Sequence, residues 1–196
     1  MGQRSQIYVR YNGNLLFATY YQWNYGERMI SRARWGIEYL KYNLDNGYDR
    51  FMFKSQSEIE KIKRLFDVNF DMHDLCIGCD ILKEYKEYYA GEDFSEAVFN
   101  GQDNNDGQLY VDIQDGIIYY GFRWWEWIGE DNPSVEKILS ARAYMDADMN
   151  DWENSPYITD VQKQLCVDNI SAIESMAALM DENRLQDFIE HPYMNN

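Results

Sequence analysis

Two tripeptides with the chemistry of tight turns limit what this chain can fold into, because each lies between two runs rich in β-branched and aromatic residues. Asn12-Gly13-Asn14 separates residues 5–11 from residues 15–23, and Gln114-Asp115-Gly116 separates residues 108–113 from residues 117–122. Asn, Asp and Gly tolerate the positive φ angles that hairpin loops need. The sequence therefore predicts two β-hairpins and, with them, antiparallel strand pairs.

Helical patterns follow the first predicted hairpin. Asn24 with Glu27 predicts the capped start of a first helix, which should end at Asp45-Asn46-Gly47. Its apolar residues recur at helical spacing and are Met29, Ala33, Ile37, Leu40 and Leu44. Ser57 with Glu60 predicts the start of a second, shorter helix.

The remainder of the chain contains three more helical patterns and one ambiguous segment. Pro133 precedes a predicted helix that extends to about Met149, and Thr159 with Gln162 caps a longer one. The longer helix carries Leu165, Cys166, Ile170, Ile173, Ala177 and Met180, and a last short helix carries Leu185, Phe188 and Ile189. Residues 71–89 suit either a strand or a charged helix.

The order of these elements predicts an α+β fold, in which an antiparallel sheet built from the two hairpins is covered by helices. A chain of 196 residues with 45% hydrophobic and 16% aromatic residues can bury a core of the size that one domain needs. We therefore expect a single domain over residues 1–196, with residues 157–196 as a candidate helical C-terminal part.

Charge is distributed unevenly along the chain, and it indicates the kind of partner. Residues 1–64 contain eleven Lys/Arg and six Asp/Glu, whereas residues 65–196 contain seven and twenty-eight, so a net of −21 lies beyond residue 64 in a chain of −16 overall. A field of this sign repels nucleic acid and membrane phosphates and attracts basic protein surfaces. We expect a basic protein partner and no direct contact with nucleic acid or a membrane.

The location expected from the sequence is the cytoplasm of a bacterial host cell. The first residues lack the apolar segment of a secretory signal, and no run reaches the length of a membrane-spanning helix. Three cysteines, Cys76, Cys79 and Cys166, are too few for a disulfide framework.

Two short motifs resemble metal sites, but each lacks a required ligand. His73, Cys76 and Cys79 have zinc-ligand spacing without a fourth ligand nearby, and residues 103–107 resemble a calcium loop that lacks its terminal glutamate. The chain has no nucleophile elbow, metalloprotease motif or phosphate-binding glycine loop. We expect no metal, no cofactor and no catalytic residues, and hence a protein that is not an enzyme.

An aromatic and basic patch is predicted where the first hairpin meets the first helix. Its residues are Tyr20, Tyr21, Trp23, Tyr25, Arg28, Arg32 and Arg34. Because Arg28 and Arg32 are four positions apart on one helix, their repulsion calls for a nearby anion. The protein's own carboxylates are the favoured source, and an anionic ligand or partner surface is the alternative.

Three segments carry a resemblance to a known group of proteins. They are residues 3–11 (QRSQIYVRY), residues 20–34 (YYQWNYGERMISRAR) and residues 102–109 (QDNNDGQL). The chain resembles an uncharacterised family of small acidic proteins carried by prophages and other mobile elements of Gram-positive gut bacteria. The resemblance implies a counter-defence role of the anti-CRISPR type, and it assigns no site residues.

These observations predict an acidic protein-binding inhibitor that mimics nucleic acid and occupies the basic nucleic-acid-binding surface of a Cas nuclease. The partner-binding candidates, which we expect to be exposed, are Asp103, Asp106, Asp112, Asp115, Glu126, Glu130, Asp131, Asp146, Asp148, Asp151 and Glu153. One alternative is an immunity protein or antitoxin that neutralises a basic toxin. A second is a small ligand-binding module that uses the aromatic and basic patch. The oligomeric state stays open.

Overall fold

A computed structural model describes residues 3–49, 53–67, 77–101, 106–126 and 135–193. The strands are β1 (Arg4–Tyr11), β2 (Asn14–Gln22), β3 (Ile77–Asp80), β4 (Gln108–Gln114), β5 (Ile117–Glu126), β6 (Val135–Leu139) and the two-residue β7 (Ala178–Leu179). The α-helices are α1 (Gly26–Asp45), α2 (Gln56–Asp67), α3 (Ile81–Glu84), α4 (Ala141–Asp148), α5 (Asp160–Met176) and α6 (Glu182–Glu190). Two wide π-helical turns span Tyr85–Tyr89 and Glu96–Asn100, and a 3-10 turn spans Trp152–Asn154.

The strands form one mixed sheet in the order β3-β2-β1-β4-β5-β6, with β7 beside β5. Both predicted hairpins are confirmed, as β1–β2 and β4–β5, and the α+β class is confirmed with them. The expectation of a purely antiparallel sheet is wrong, because β1 and β4 pair in parallel at the centre, with Ile7 opposite Leu109. The long connection from β2 to β4 gives the chain room to return in the same direction as β1.

Helices cover both faces of this sheet. Ile7 and Val9 point to the face that packs against α1, α2, α4 and α5, whereas Tyr8 points to the opposite face. That second face packs against α3, the π-helical turn Glu96–Asn100 and α6. Every residue of β1 except its first and last is buried, as expected for a central strand that is covered on both sides.

The predicted capped start is confirmed for α5 and differs for α1 and α2. Thr159 and Gln162 form the predicted capping box of α5. Helix α1 begins at Gly26 without a side-chain cap, since Asn24 is buried and donates to the Ser5 hydroxyl instead.

The start of α2 also lies earlier than predicted. The backbone N–H of Glu58 donates to the Ser55 hydroxyl at 3.4 Å, so Ser55 rather than Ser57 holds the first turn.

Two segments predicted as helical are strands. Residues 135–139 form β6, because β5 extends to Glu126 and offers it an antiparallel partner, and a helix begins only after Ser140 caps α4. Ala178 and Leu179 leave the predicted long helix and pair with β5 as β7. Of the ambiguous residues 71–89, those from 77 onward contain both a strand and helical turns.

Candidate functional site

Exposed carboxylates and an exposed aromatic side chain lie close together in the chain where α4 passes into α5. Tyr157 is 94% exposed and Val161, four residues later, is 69% exposed. We call these two residues, with Asp146, Asp151, Glu153 and Asp160, the acidic α4–α5 surface; all four carboxylates are exposed. A large exposed aromatic side chain in a segment rich in charged residues is a candidate for protein binding.

The connection that carries this surface is anchored from beneath by Trp152. Its indole ring is buried, and Nε1 donates to Asp146 Oδ1 at 3.0 Å. The Arg142 guanidinium lies 5.3 Å from the centre of the same ring and pairs with Asp146 at 3.1 Å and Glu153 at 2.9 Å. These contacts orient Asp146 and Glu153, two of the four carboxylates, before any partner arrives.

The structure separates the predicted partner-binding carboxylates into several groups. Asp115, Asp146, Asp151 and Glu153 are exposed, and Asp148 is half-buried. The expectation that Asp106 and Asp112 are exposed is wrong, because both are buried within the fold. Asp103, Glu130 and Asp131 lie outside the described residues, and Glu126 closes β5 without a described side chain.

Asp112 belongs to a buried ion network that joins the central sheet to α6. Arg10 Nε and Nη2 donate to the two carboxylate oxygens of Asp112 at 2.9 and 3.0 Å. Arg184 donates to Asp112 at 2.7 Å, and Arg10 reaches Asp187 at 2.8 Å. The Arg10 guanidinium also stacks on the Phe188 ring at 4.6 Å. The network fixes α6 to the sheet, and it leaves Asp112 buried.

Asp106 and Asp148 belong to a second cluster, at the N-terminus of α1. Asp148 accepts the Gly26 backbone N–H at 2.6 Å, and Asp106 accepts the Arg4 backbone N–H at 2.5 Å. Burial, and then the charge of Asp106, raise the pKa of Asp148 to about 7. Burial likewise raises the pKa of Asp106 to about 6, and it raises the pKa of Glu27 nearby. These carboxyls share an enclosed space that disfavours their full ionisation.

The predicted aromatic and basic patch does not form one surface. Arg32 and Tyr21 are buried, whereas Trp23 is exposed. Tyr20 packs on the opposite face of the sheet, so it cannot act together with Tyr21.

The arginines of this patch have different surroundings. Arg34 pairs with Glu38 at 3.1 Å, whereas the expected pairing with the protein's own carboxylates concerned Arg28 and Arg32. Arg28 donates to the Trp23 carbonyl at 2.9 Å and lies over the Tyr25 ring. Arg32 donates to Asn24 Oδ1 and to the Phe66 carbonyl, which are neutral groups.

Three residues of the acidic α4–α5 surface were not among the sequence candidates: Tyr157, Asp160 and Val161. The position of Tyr157 in the sequence could have identified it as a binding candidate. It lies between Pro156 and the capping Thr159, where no helical pattern requires an apolar side chain. An aromatic residue outside every predicted core position is a candidate for binding.

The structure describes only part of the two motifs that resemble metal sites. His73, Cys76 and residues 103–105 lie outside it, and Cys79 is half-buried in β3. Where the structure describes the chain, no three His, Cys, Asp or Glu side chains gather so that they could hold a metal ion. Over the same residues, no helix combines the length and apolar composition needed to cross a membrane.

Comparison of the chain with protein-family models, with curated proteins and with solved structures finds no match.

Proposed function

We propose that the protein is a stoichiometric inhibitor of the anti-CRISPR type, and that its acidic α4–α5 surface occupies a basic nucleic-acid-binding surface of a Cas effector. The observation that supports this proposal is Tyr157, which is 94% exposed in a segment that also carries four exposed carboxylates. Carboxylates supply a negative field that attracts a basic surface. The tyrosine supplies contact area, and its side chain loses little conformational entropy on binding.

The segment that carries the acidic α4–α5 surface contains few cations. Residues 141–193 contain eleven Asp/Glu and three Lys/Arg, and the single exposed cation among them, Arg142, pairs with Asp146 and Glu153. Residues 141–193 therefore carry a net charge of −8, and acidity of this density speeds encounter with basic proteins.

A cleavage assay tests the proposal. A panel of purified guide-loaded Cas effectors is incubated with increasing protein before target DNA is added, and cleaved DNA is measured. We expect one effector to lose cleavage near equimolar protein, and prior loading of target DNA to protect it. Protein alone should give no gel shift of duplex DNA even at low salt, where phosphate contacts are strongest.

Tyr157→Ala provides the specific variant, and Tyr88→Ala provides its control. Tyr88 is 73% exposed but lies in the π-helical turn Tyr85–Tyr89, beyond α3. We expect Tyr157→Ala to raise the half-inhibitory concentration about thirtyfold, as for a central interface tyrosine, and Tyr88→Ala to leave it within about twofold. Equal potency of the two variants, or a panel with no inhibited effector, would contradict the proposal.

A further inference from the structure

A cavity of about 550 Å³ is lined by strands β2 and β3, by α3 and by the two π-helical turns. The residues that matter for its chemistry are Tyr20, Cys79, Glu84, Tyr89, Glu92 and Glu96. Tyr89, Glu92 and Glu96 are exposed, and the other three residues are half-buried. A ligand in solution can therefore reach this cavity, which shares no residue with the acidic α4–α5 surface.

The cavity carries negative charge without a compensating cation. Its lining includes Glu84, Glu92 and Glu96, and the described residues that line it include no lysine or arginine. None of these three carboxylates forms an ion pair with a residue that the structure describes. Burial, and then the charge of Glu84, raise the pKa of the Cys79 thiol to about 11, so this thiol stays neutral. The charge of the lining therefore favours a cationic ligand.

Tyrosine side chains form a second part of the cavity wall. Tyr89 is 47% exposed, and its side chain makes no hydrogen bond or ring contact within the described part of the chain. Tyr20 of β2 lies opposite Cys79 of β3 and lines the same cavity. Packing of the fold therefore does not account for an aromatic residue at position 89. The face of a tyrosine ring attracts organic cations, which matches the charge of the lining.

The two π-helical turns place these groups beside the cavity. The turn Tyr85–Tyr89 ends with the exposed tyrosine, and the turn Glu96–Asn100 begins with one of the three glutamates. Such turns are rare in proteins, and they occur frequently at functional sites. Two of them at one cavity are an observation that does not depend on its charge, and it likewise indicates a binding site.

We propose that this cavity binds a primary ammonium group on an alkyl chain, carried either by a free polyamine or by a lysine side chain. Carboxylates accept the N–H bonds of such a group, and a tyrosine ring packs on the alkyl chain and attracts the charge. The three glutamates lie at separate positions around the cavity, so they can pair with a cation that carries more than one ammonium group. The proposal does not depend on the inhibitory function.

Calorimetric titration with putrescine, an aliphatic diamine, tests the proposal at constant ionic strength. Glu92→Gln removes a charge from the lining, and Tyr89→Leu removes the ring. The matched controls are Glu87→Gln and Tyr88→Leu, because both residues are exposed in the same π-helical turn but do not line the cavity. We expect wild type to bind with a dissociation constant of about 1 mM or lower. Each lining variant should weaken binding about fivefold, and each control less than about twofold.

Parallel titrations with Nα-acetyl-lysine methylamide and with Mg²⁺ identify the source of the cation. Binding of putrescine alone assigns a polyamine site, binding of the lysine compound as well assigns a site for lysine side chains, and either result supports the proposal. Glu92→Gln should melt within about 2 °C of wild type, so its weaker binding would not reflect unfolding. The proposal fails if putrescine does not saturate wild type, if the controls weaken binding as much as the lining variants, or if Mg²⁺ binds as tightly as putrescine.

Discussion

Replacing Asp112 with alanine is expected to lower the free energy of unfolding by about 3–5 kcal/mol, because Arg10 would keep a buried charge without its principal partner. Both side chains are almost completely buried, and the pair is joined by two hydrogen bonds of 2.9 and 3.0 Å. The loss should exceed that of an ordinary salt bridge, since exposed pairs contribute at most about 1 kcal/mol. Urea denaturation measures it as a lower midpoint at constant slope.

The control is Asp115→Ala, in the turn that follows β4. Asp115 is exposed, but its φ of 52° favours Asp, Asn or Gly, so this variant should lose only about 1 kcal/mol. The double variant Arg10→Met, Asp112→Leu should recover part of the loss of Asp112→Ala, because it removes both central charges and fills similar space. A loss below about 1 kcal/mol for Asp112→Ala would show that the network does not hold α6 to the sheet.

Asp148→Asn is expected to stabilise the protein at pH 8 by about 2–4 kcal/mol and to have little effect near pH 4. Burial raises the pKa of Asp148 in the folded protein to about 7, above the ordinary value of an aspartate. The folded state therefore binds more protons than the unfolded state between about pH 4 and pH 7, so this group costs stability as the pH rises through that window. The amide oxygen of the variant can still accept the Gly26 N–H.

The measurement is the difference in unfolding free energy between variant and wild type at several pH values from 4 to 8. The surrounding ionisable groups include Asp106 from the residues before β4, Glu27 from α1 and Tyr144 from α4, and they remain in both proteins. Asp168→Asn, at an exposed position of α5, should give a difference within about 0.5 kcal/mol that does not change with pH. A flat difference for Asp148→Asn as well would show that its carboxyl ionises normally in the fold.

Local chemistry accounts for the parts of the fold that the sequence predicts. The hairpin turns follow from residues that adopt positive φ, which is 44° at Asn12 and 52° at Asp115. The capping box of α5 is likewise contained within four residues. Local patterns of this kind predict the structure correctly because they do not depend on residues that are distant in the chain.

Non-local pairing accounts for what the sequence does not reveal. The parallel pairing of β1 with β4 and the strand β6 both depend on partners that no local pattern identifies. Arg10 and Asp112 have the polar character of exposed strand residues, yet they are buried together, 102 positions apart in the chain. The candidate surface was predicted only in part for the same reason. Asp112 and Asp151 were both candidates from the sequence, but Asp112 is buried and Asp151 is exposed.

The association rate between the protein and an inhibited effector tests the central claim most directly. The variant Asp151→Asn, Asp160→Asn removes two charges from the acidic α4–α5 surface, and the control Asp168→Asn, Glu174→Gln removes two exposed charges further along α5. At about 50 mM salt the first variant should associate about tenfold more slowly than wild type and the control less than about threefold. The difference should largely disappear at about 500 mM salt, where charges are screened. If the first variant associates as fast as wild type at low salt, the acidic surface does not guide binding and the proposed inhibitory mechanism is wrong.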